Sequence, residues 1–262
     1  MISKSREELS RRKEYLKKKE ELKECLDENR RIPHKLRGEA REILDEIIYN
    51  NEEEEILKYP KTFVTTSHSP STSLKEFSKH LALIFNGRFV PRSRMNEEEL
   101  SEFCNQNGVT HLIIMNEAKG SPSTICLSKY PYGKTHWFTV QNMKFTRRKQ
   151  ALKEKAGLVL DGFGSSLGEN LKKTLRLMVP AYKNMKKFKD GDRVIGFVNR
   201  GGVIGFRHST VERRRLVTDL AFDMNLYKVS AGTFEMEGGV EYQMSGFKNI
   251  VKYDVLAKDE EE

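Results

Sequence analysis

The sequence predicts an α/β (α+β) protein built as two similar half-domains, each a mixed sheet with packed helices, behind an N-terminal helical extension. Three observations predict it. Residues 4–31 contain no Gly or Pro and alternate Lys/Arg with Glu, as a long exposed helix does. From Thr62 onward, short β-branched and apolar runs alternate with helical periodicity and are punctuated by Gly and Pro. The order strand, Ser-containing turn, helix, group of strands then occurs twice. A repeated order suggests an internal duplication; the alternative is coincidence of element order in an α/β chain.

The elements follow in order. In the first helix the apolar residues are sparse, with Leu9, Tyr15, Leu16, Leu22 and Leu26 forming a narrow seam. Such a helix buries little and needs something to rest on, protein or RNA. Pro33 suits the start of a second helix. Its stripe is Leu36, Ala40, Ile43, Leu44, Ile47 and Ile48. The extension is predicted over 1–59, and Leu9, Tyr15, Leu16, Leu22, Leu36, Ile43 and Ile47 are its candidate partner-binding residues.

A body over 60–257 follows, with halves at about 60–143 and 157–257 and a basic linker at 144–156. In the first half, 62–66 reads as a strand and 74–85 as a helix ended by Asn86-Gly87. Residues 88–94 read as a basic strand and 97–106 as a helix closed by Asn107-Gly108. Strands are expected at 110–115, 124–130 and 136–143. In the second half, 158–160 is a strand, a Gly/Ser turn leads to a helix at 169–179, and 193–198 and 203–206 form a hairpin across Asn199-Arg200-Gly201-Gly202. Strands at 215–222, 225–229 and 242–247 complete it. An acidic tail, 258–262, ends the chain.

Composition narrows the function. The chain has 262 residues, 47 Lys+Arg against 38 Asp+Glu and a net charge of +9. The charge is uneven: 1–59 hold 15 basic and 16 acidic side chains, while 60–257 hold 31 basic and 18 acidic. A basic body points to a polyanion, most simply nucleic acid. Cys25, Cys104 and Cys126 make no CxxC pair, zinc pattern or disulfide framework, which suits a reducing compartment. No apolar run approaches the ~20 residues of a membrane span, and the N-terminus does not read as a secretory signal. The six histidines lack metal-ligand spacing. Gly162, Gly164 and Gly168 are spaced GxGxxxG, with Leu167 where a dinucleotide fingerprint needs its third Gly. They read as a tight turn with Ser165 or Ser166 near a helix cap, its N–H groups still open to an RNA phosphate. No catalytic motif is present, so neither enzyme, cofactor nor metal is expected.

The basic clusters carry the binding expectation. The candidate RNA-binding residues are Arg88, Arg92, Arg94, Arg147, Arg148, Lys149, Arg200, Arg207, His208, Arg213, Arg214 and Arg215. Lys183, Lys186, Lys187 and Lys189 make a further cluster. Lys and Arg neutralise phosphates and release counterions. Phe89, Phe145, Tyr182, Phe188 and Phe206 lie nearby, where flat rings can stack on unpaired bases, although Phe89 and Phe206 fit core packing better. Strand alternation lets Arg213 and Arg215 share a face.

Several motifs resemble Brix-domain proteins, ribosome-biogenesis factors built from two similar halves. The similarity runs from about Phe63 to Phe247. It rests on Val64-Thr65-Thr66-Ser67 with Pro70-Ser71, and on Glu117, Gly120, Pro122, Leu127, Ser128, Pro131, Gly133 and Thr135. Asn199-Arg200-Gly201 with Ile204 and Phe206-Arg207, then Leu226, Gly232-Thr233 and Val240-Glu241, continue it. Arg11-Arg12-Lys13-Glu14-Tyr15-Leu16 is similar to the leading helix of the branch found in the U3 small nucleolar ribonucleoprotein. The chain departs from the family where Asp219-Leu220-Ala221 replaces Gly-Pro-Arg, where Lys134 replaces a second turn proline, and where an acidic insert shrinks to 52–55.

The resemblance implies a Brix domain and a nucleolar, non-enzymatic factor of the small-subunit processome. It implies U3 small nucleolar RNA and the small-subunit ribosomal RNA precursor as partners. It also implies a small S4-like RNA-binding protein, a large acidic scaffold phosphoprotein and no membrane. The alternatives are a Brix factor for the large-subunit precursor and a mainly protein-binding scaffold.

Overall fold

The computed structural model describes residues 17–18, 21–22, 24–26, 30–41, 43–44, 60–146, 155–179, 188–236, 238–244 and 255–257. The chain divides into two compact units, Met1–Glu55 and Ile56–Glu262.

In the first unit Leu22, Ala40 and Ile43 form an apolar cluster with Ile32 and Leu44 against it, and Lys18 pairs with Glu39 at 3.0 Å. Leu36 is buried as well. This corrects the expectation that Leu22, Leu36 and Ile43 face a partner: burying apolar area inside the unit already satisfies them. Leu9, Tyr15, Leu16 and Ile47 lie outside the described residues.

The second unit holds β1 (Thr62–Thr66), α1 (Thr72–Ile84), β2 (Arg88–Phe89), α2 (Glu97–Gln106), β3 (His111–Ala118), β4 (Ser121–Lys129) and β5 (Thr135–Phe145). Then come β6 (Ala156–Asp161), α3 (Ser166–Leu177), β7 (Arg193–Arg200), β8 (Val203–Glu212), β9 (Arg215–Ser230) and β10 (Val240–Gln243). The two expected sheets are one ten-stranded sheet, ordered β2-β1-β3-β4-β5-β9-β8-β7-β6, with β10 also on β9. The seam is the antiparallel β5–β9 ladder, from Thr135↔Ser230 to Phe145↔Leu220.

The halves repeat. β1 pairs parallel with β3 as β6 does with β7, and β3–β4–β5 and β7–β8–β9 are antiparallel. Thr62↔His111 in the first half matches Ala156↔Arg193 in the second. The first half alone has β2 and α2 inserted between its helix and its next strand.

Caps set the helix starts. The Ser71 hydroxyl accepts from the Leu74 N–H at 3.1 Å and donates to Glu117 at 2.5 Å. Asn96 and Glu99 form a capping box for α2. Ser165 caps α3 by accepting from the Gly168 N–H at 2.9 Å. The end of α3 takes no phosphate: the Ser165 N–H and hydroxyl donate to the Leu256 and Val255 carbonyls, and a Cβ on Gly168 would lie 2.3 Å from the Leu256 oxygen. The third glycine makes room for the chain's own backbone, not for a dinucleotide.

One face of the sheet carries the main core under α1 and α3, drawn from both halves. Phe77 and Phe85 of α1 meet Phe222 and Phe206 of the second-half strands at ring-centroid distances of 6.2 and 6.0 Å. The opposite face of the first half packs Phe63, Leu112, Ile114 and Cys126 against Leu100 and Cys104 of α2. No described helix is long and apolar enough to cross a membrane.

Candidate nucleic-acid interface

Strand directions decide which basic residues share an end of the sheet. The β3–β4 turn, the end of β5, the β8–β9 turn and the start of β7 all lie at one end, as the registers Ala118↔Ser121, Phe145↔Leu220, Glu212↔Arg215 and Arg193↔Thr210 require. Arg94 belongs there too: its neighbour Ser93 contacts His68, just past the C-terminal end of β1, at 3.3 Å. Arg94, Lys119, Lys144, Lys189, Arg213, Arg214 and Arg215 are exposed along this end. Arg88 and Arg200 are exposed at the other. Arg200 and Arg213 are separated by the ten residues of β8, about 30 Å at roughly 3.3 Å per residue. Among the described residues, no hydrogen bond or ion pair engages the guanidinium groups of Arg88, Arg94, Arg200, Arg213, Arg214 or Arg215.

Other candidates fall away. Arg92 is 5% exposed; its Nε donates to the Met95 carbonyl at 3.0 Å and its guanidinium lies 5.6 Å from the Phe234 ring centroid. Burial lowers its pKa. It is a packing residue because the irregular segment after β2 turns its stem inward. His208 is fully buried on the core side of β8, with Nδ1 2.5 Å from Asp219, whose other oxygen is 3.5 Å from His80 of α1. Burial alone would raise the Asp219 carboxyl, but the hydrogen bonds from His208 and His80 and the charge of His208 hold it well below the usual carboxylate range. Neither Arg92 nor His208 can reach a phosphate.

Arg207 points to the opposite, open face, but it is committed. It donates to the Phe206 and Phe222 carbonyls and to Asp223 at 2.7, 2.8 and 2.8 Å. Partial burial works against the charge of Asp223, yet hydrogen bonds from Asn142 and Arg207 hold its carboxyl below the usual range. Arg147, Arg148, Lys149 and Tyr182 lie outside the described residues. Phe206 is buried and Phe145 packs on Phe77, whereas Phe188 is 50% exposed beside Lys189.

Arg213 and Arg214 do not lie on a strand as expected. They are the two central residues of the β8–β9 turn, at φ 49° and 62°. Lys119 was missed in the sequence; the Lys119-Gly120 dipeptide between two strands is the signal that places it on a hairpin tip.

The described residues hold no cluster of His, Cys, Asp or Glu able to bind a metal. The cavity beneath α1 and α3 is a wholly apolar space of about 30 Å³, lined by residues such as Leu81, Phe138 and Phe206, too small for a substrate. The chemistry this surface offers is a row of unneutralised cations on a rigid edge, suited to a phosphate backbone.

No family model matches the chain. Among curated proteins it is 32% identical to the human U3 small nucleolar ribonucleoprotein protein IMP4, over 99% of this chain and 96% of that protein. It is 30% identical to the IMP4 protein of Saccharomyces cerevisiae over 72% of this chain and 67% of that one. A solved structure, a probable ribosomal biogenesis protein from Aeropyrum pernix K1, aligns at TM-score 0.47 and 16% identity over 63% of this chain and 96% of its own.

Proposed function

Since the chain belongs to the family of the U3 small nucleolar ribonucleoprotein protein IMP4, a family of the Brix type, we propose that it is a non-enzymatic RNA-binding assembly factor of that ribonucleoprotein. It acts in the nucleolus, in ribosome biogenesis, helping U3 small nucleolar RNA pair with the small-subunit ribosomal RNA precursor. Its protein partners are a small S4-like RNA-binding protein and a large acidic scaffold phosphoprotein.

The observation that carries this reading is the length of the likeness, 99% of the chain, which spans the N-terminal extension as well as the sheet. The surface supports it. Exposed Arg and Lys at the basic end of the sheet give salt-sensitive backbone contacts, and Phe188 offers a ring to an unpaired base.

Ultraviolet crosslinking in cells, followed by sequencing of the attached RNA, tests the reading. Reads should concentrate on U3 RNA and the small-subunit precursor. Reads concentrated on the large-subunit precursor would move the protein to another branch of the family. Few reads anywhere would leave a protein-binding scaffold.

A further inference from the structure

The sheet has three two-residue hairpin turns. Lys119-Gly120 has φ of 52° and 76°, and Gly201-Gly202 has φ of 60° and 81°. Arg213-Arg214 has φ of 49° and 62°. All three need left-handed backbone at both central positions, which is why Asn-Gly and Gly-Gly pairs dominate such turns. The third turn places two arginines there instead. Side chains with a Cβ are strained in this region, and paired outliers of this kind point to a function that the local fold does not supply.

The turn is held rather than loose. The Arg214 N–H donates to Asp190 Oδ1 at 3.1 Å. The Gly191 N–H donates to the Val211 carbonyl at 2.8 Å, and the Val211 N–H to the Asp192 carbonyl at 2.8 Å. These bonds bind the hairpin to the 188–192 segment. Phe188 therefore sits two residues from the carboxylate that fixes Arg214, within about 7 Å of chain length. Its ring is half exposed, as is unusual for phenylalanine, and Leu216 beside the tip is 61% exposed.

We propose that the β8–β9 tip and Phe188 form one subsite for unpaired RNA. The ring of Phe188 stacks on a base, and Arg213 and Arg214 hold the adjoining phosphates. This rests on the RNA-binding reading above and gives it a strand type and a place. Strain at the tip keeps both guanidinium groups on a rigid turn, so little rotational freedom is lost on binding.

The test uses the full chain, a labelled oligouridylate of about twelve nucleotides and an RNA duplex of equal length. Phe188→Ala should weaken oligouridylate binding at least about fivefold, within the range of a lost base–aromatic stack, and leave duplex binding unchanged. Phe188→Trp should keep it. The double variant Arg213→Asn/Arg214→Gly should flatten the salt dependence by about two units of slope. It should also raise Tm by a few degrees, roughly 2–6 °C, because Asn-Gly relaxes the turn. A gain in stability with a loss of binding separates this role from damage to the fold. Unchanged oligouridylate affinity in Phe188→Ala, or an unchanged slope in the double variant, would overturn the subsite. If the unmodified chain binds neither RNA, the broader reading fails instead.

Discussion

The two halves place different side chains at the same positions of the sheet. On the outer face of the first half, Phe63, Leu112, Ile114 and Cys126 lie under α2 and are no more than 3% exposed. The register puts Gly157, Val194, Gly196 and Arg207 at the matching places in the second half. There Val194 and Gly196 are half-buried, Arg207 is exposed, and among the described residues no helix lies over them. On the inner face the halves do not differ in this way: both feed one core, and α1 of the first half packs on strands of the second. The inner face must stay apolar because each half is the other's cover. The outer face is private to each half, so side-chain size there decides whether a helix can dock.

The matching positions His111 and Arg193 sharpen this comparison most. Both are fully buried at the first residue of their strands. Arg193 crosses between halves: its Nη1 donates to the Ile84 carbonyl at the end of α1, and its Nη2 to the Asn86 side chain at 2.8 Å. A cation there also answers the negative end of the helix dipole. His111 Nδ1 lies 3.0 Å from its neighbour Thr110, and its Nε2 has no hydrogen-bond partner. Arg193→Met should therefore cost about 3 kcal/mol, as removal of one side of a buried charged contact does. His111→Leu should cost at most about 1 kcal/mol. Urea unfolding of the full chain measures both. Equal costs would mean that the contact across the halves contributes nothing beyond filling space.

Acid should act on the halves in two separate ranges. Burial, with Lys129 nearby, lowers the His111 pKa to about 3, and burial, with Lys134 nearby, lowers that of His136 to about 4. Both belong to the first half. A histidine depressed by folding is neutral in the native state, so its contribution is complete above its unfolded pKa, near 6.5, and lost as pH falls toward the folded value. Between pH 7 and 5.5 the pair should remove about 2 kcal/mol. The second half's buried His208 sits on Asp219, whose folded pKa is depressed. That carboxylate's contribution holds above its ordinary value of 3.8 and fades only below it. The stability curve should thus fall in two arms, with His111→Leu/His136→Leu flattening the upper arm and Asp219→Asn the lower. A single arm below pH 4 would show that the first-half histidines are not kept neutral by burial.

What the sequence shows of this arrangement is set by how local each cause is. The helix at 97–106 is read to the residue because Asn96, Glu99 and Asn107-Gly108 mark its ends within the helix itself. The repeat is readable because each half writes its own order of elements. The union of the sheets is not, since the β5–β9 ladder joins residues about eighty apart and leaves no local pattern. The expected strand 88–94 shrinks to two residues because Arg92 turns in beneath Phe234, far along the chain. His208 looked like a surface cation because Asp219, which buries it, stands eleven residues away across a bulge. Arg213-Arg214 was read as strand because nothing in the residue types announces a left-handed turn.

The smallest expected effect is also the most direct probe of the open face. A Cβ on Gly196 would meet only the Arg207 carbonyl oxygen, at 3.9 Å, whereas on Gly168 it would strike the Leu256 oxygen at 2.3 Å. Gly196→Ala should therefore stabilise the protein by about 0.5 kcal/mol, by restricting the unfolded chain without crowding the folded one. Gly168→Ala should destabilise it, because the backbone of 255–257 has to move. The matching first-half residue, Ile114, already fills its position beneath α2. If Gly196→Ala instead cost more than about 1 kcal/mol, as overpacking does, the second half's outer face would already be occupied, and the halves would differ in what covers them rather than in whether they are covered.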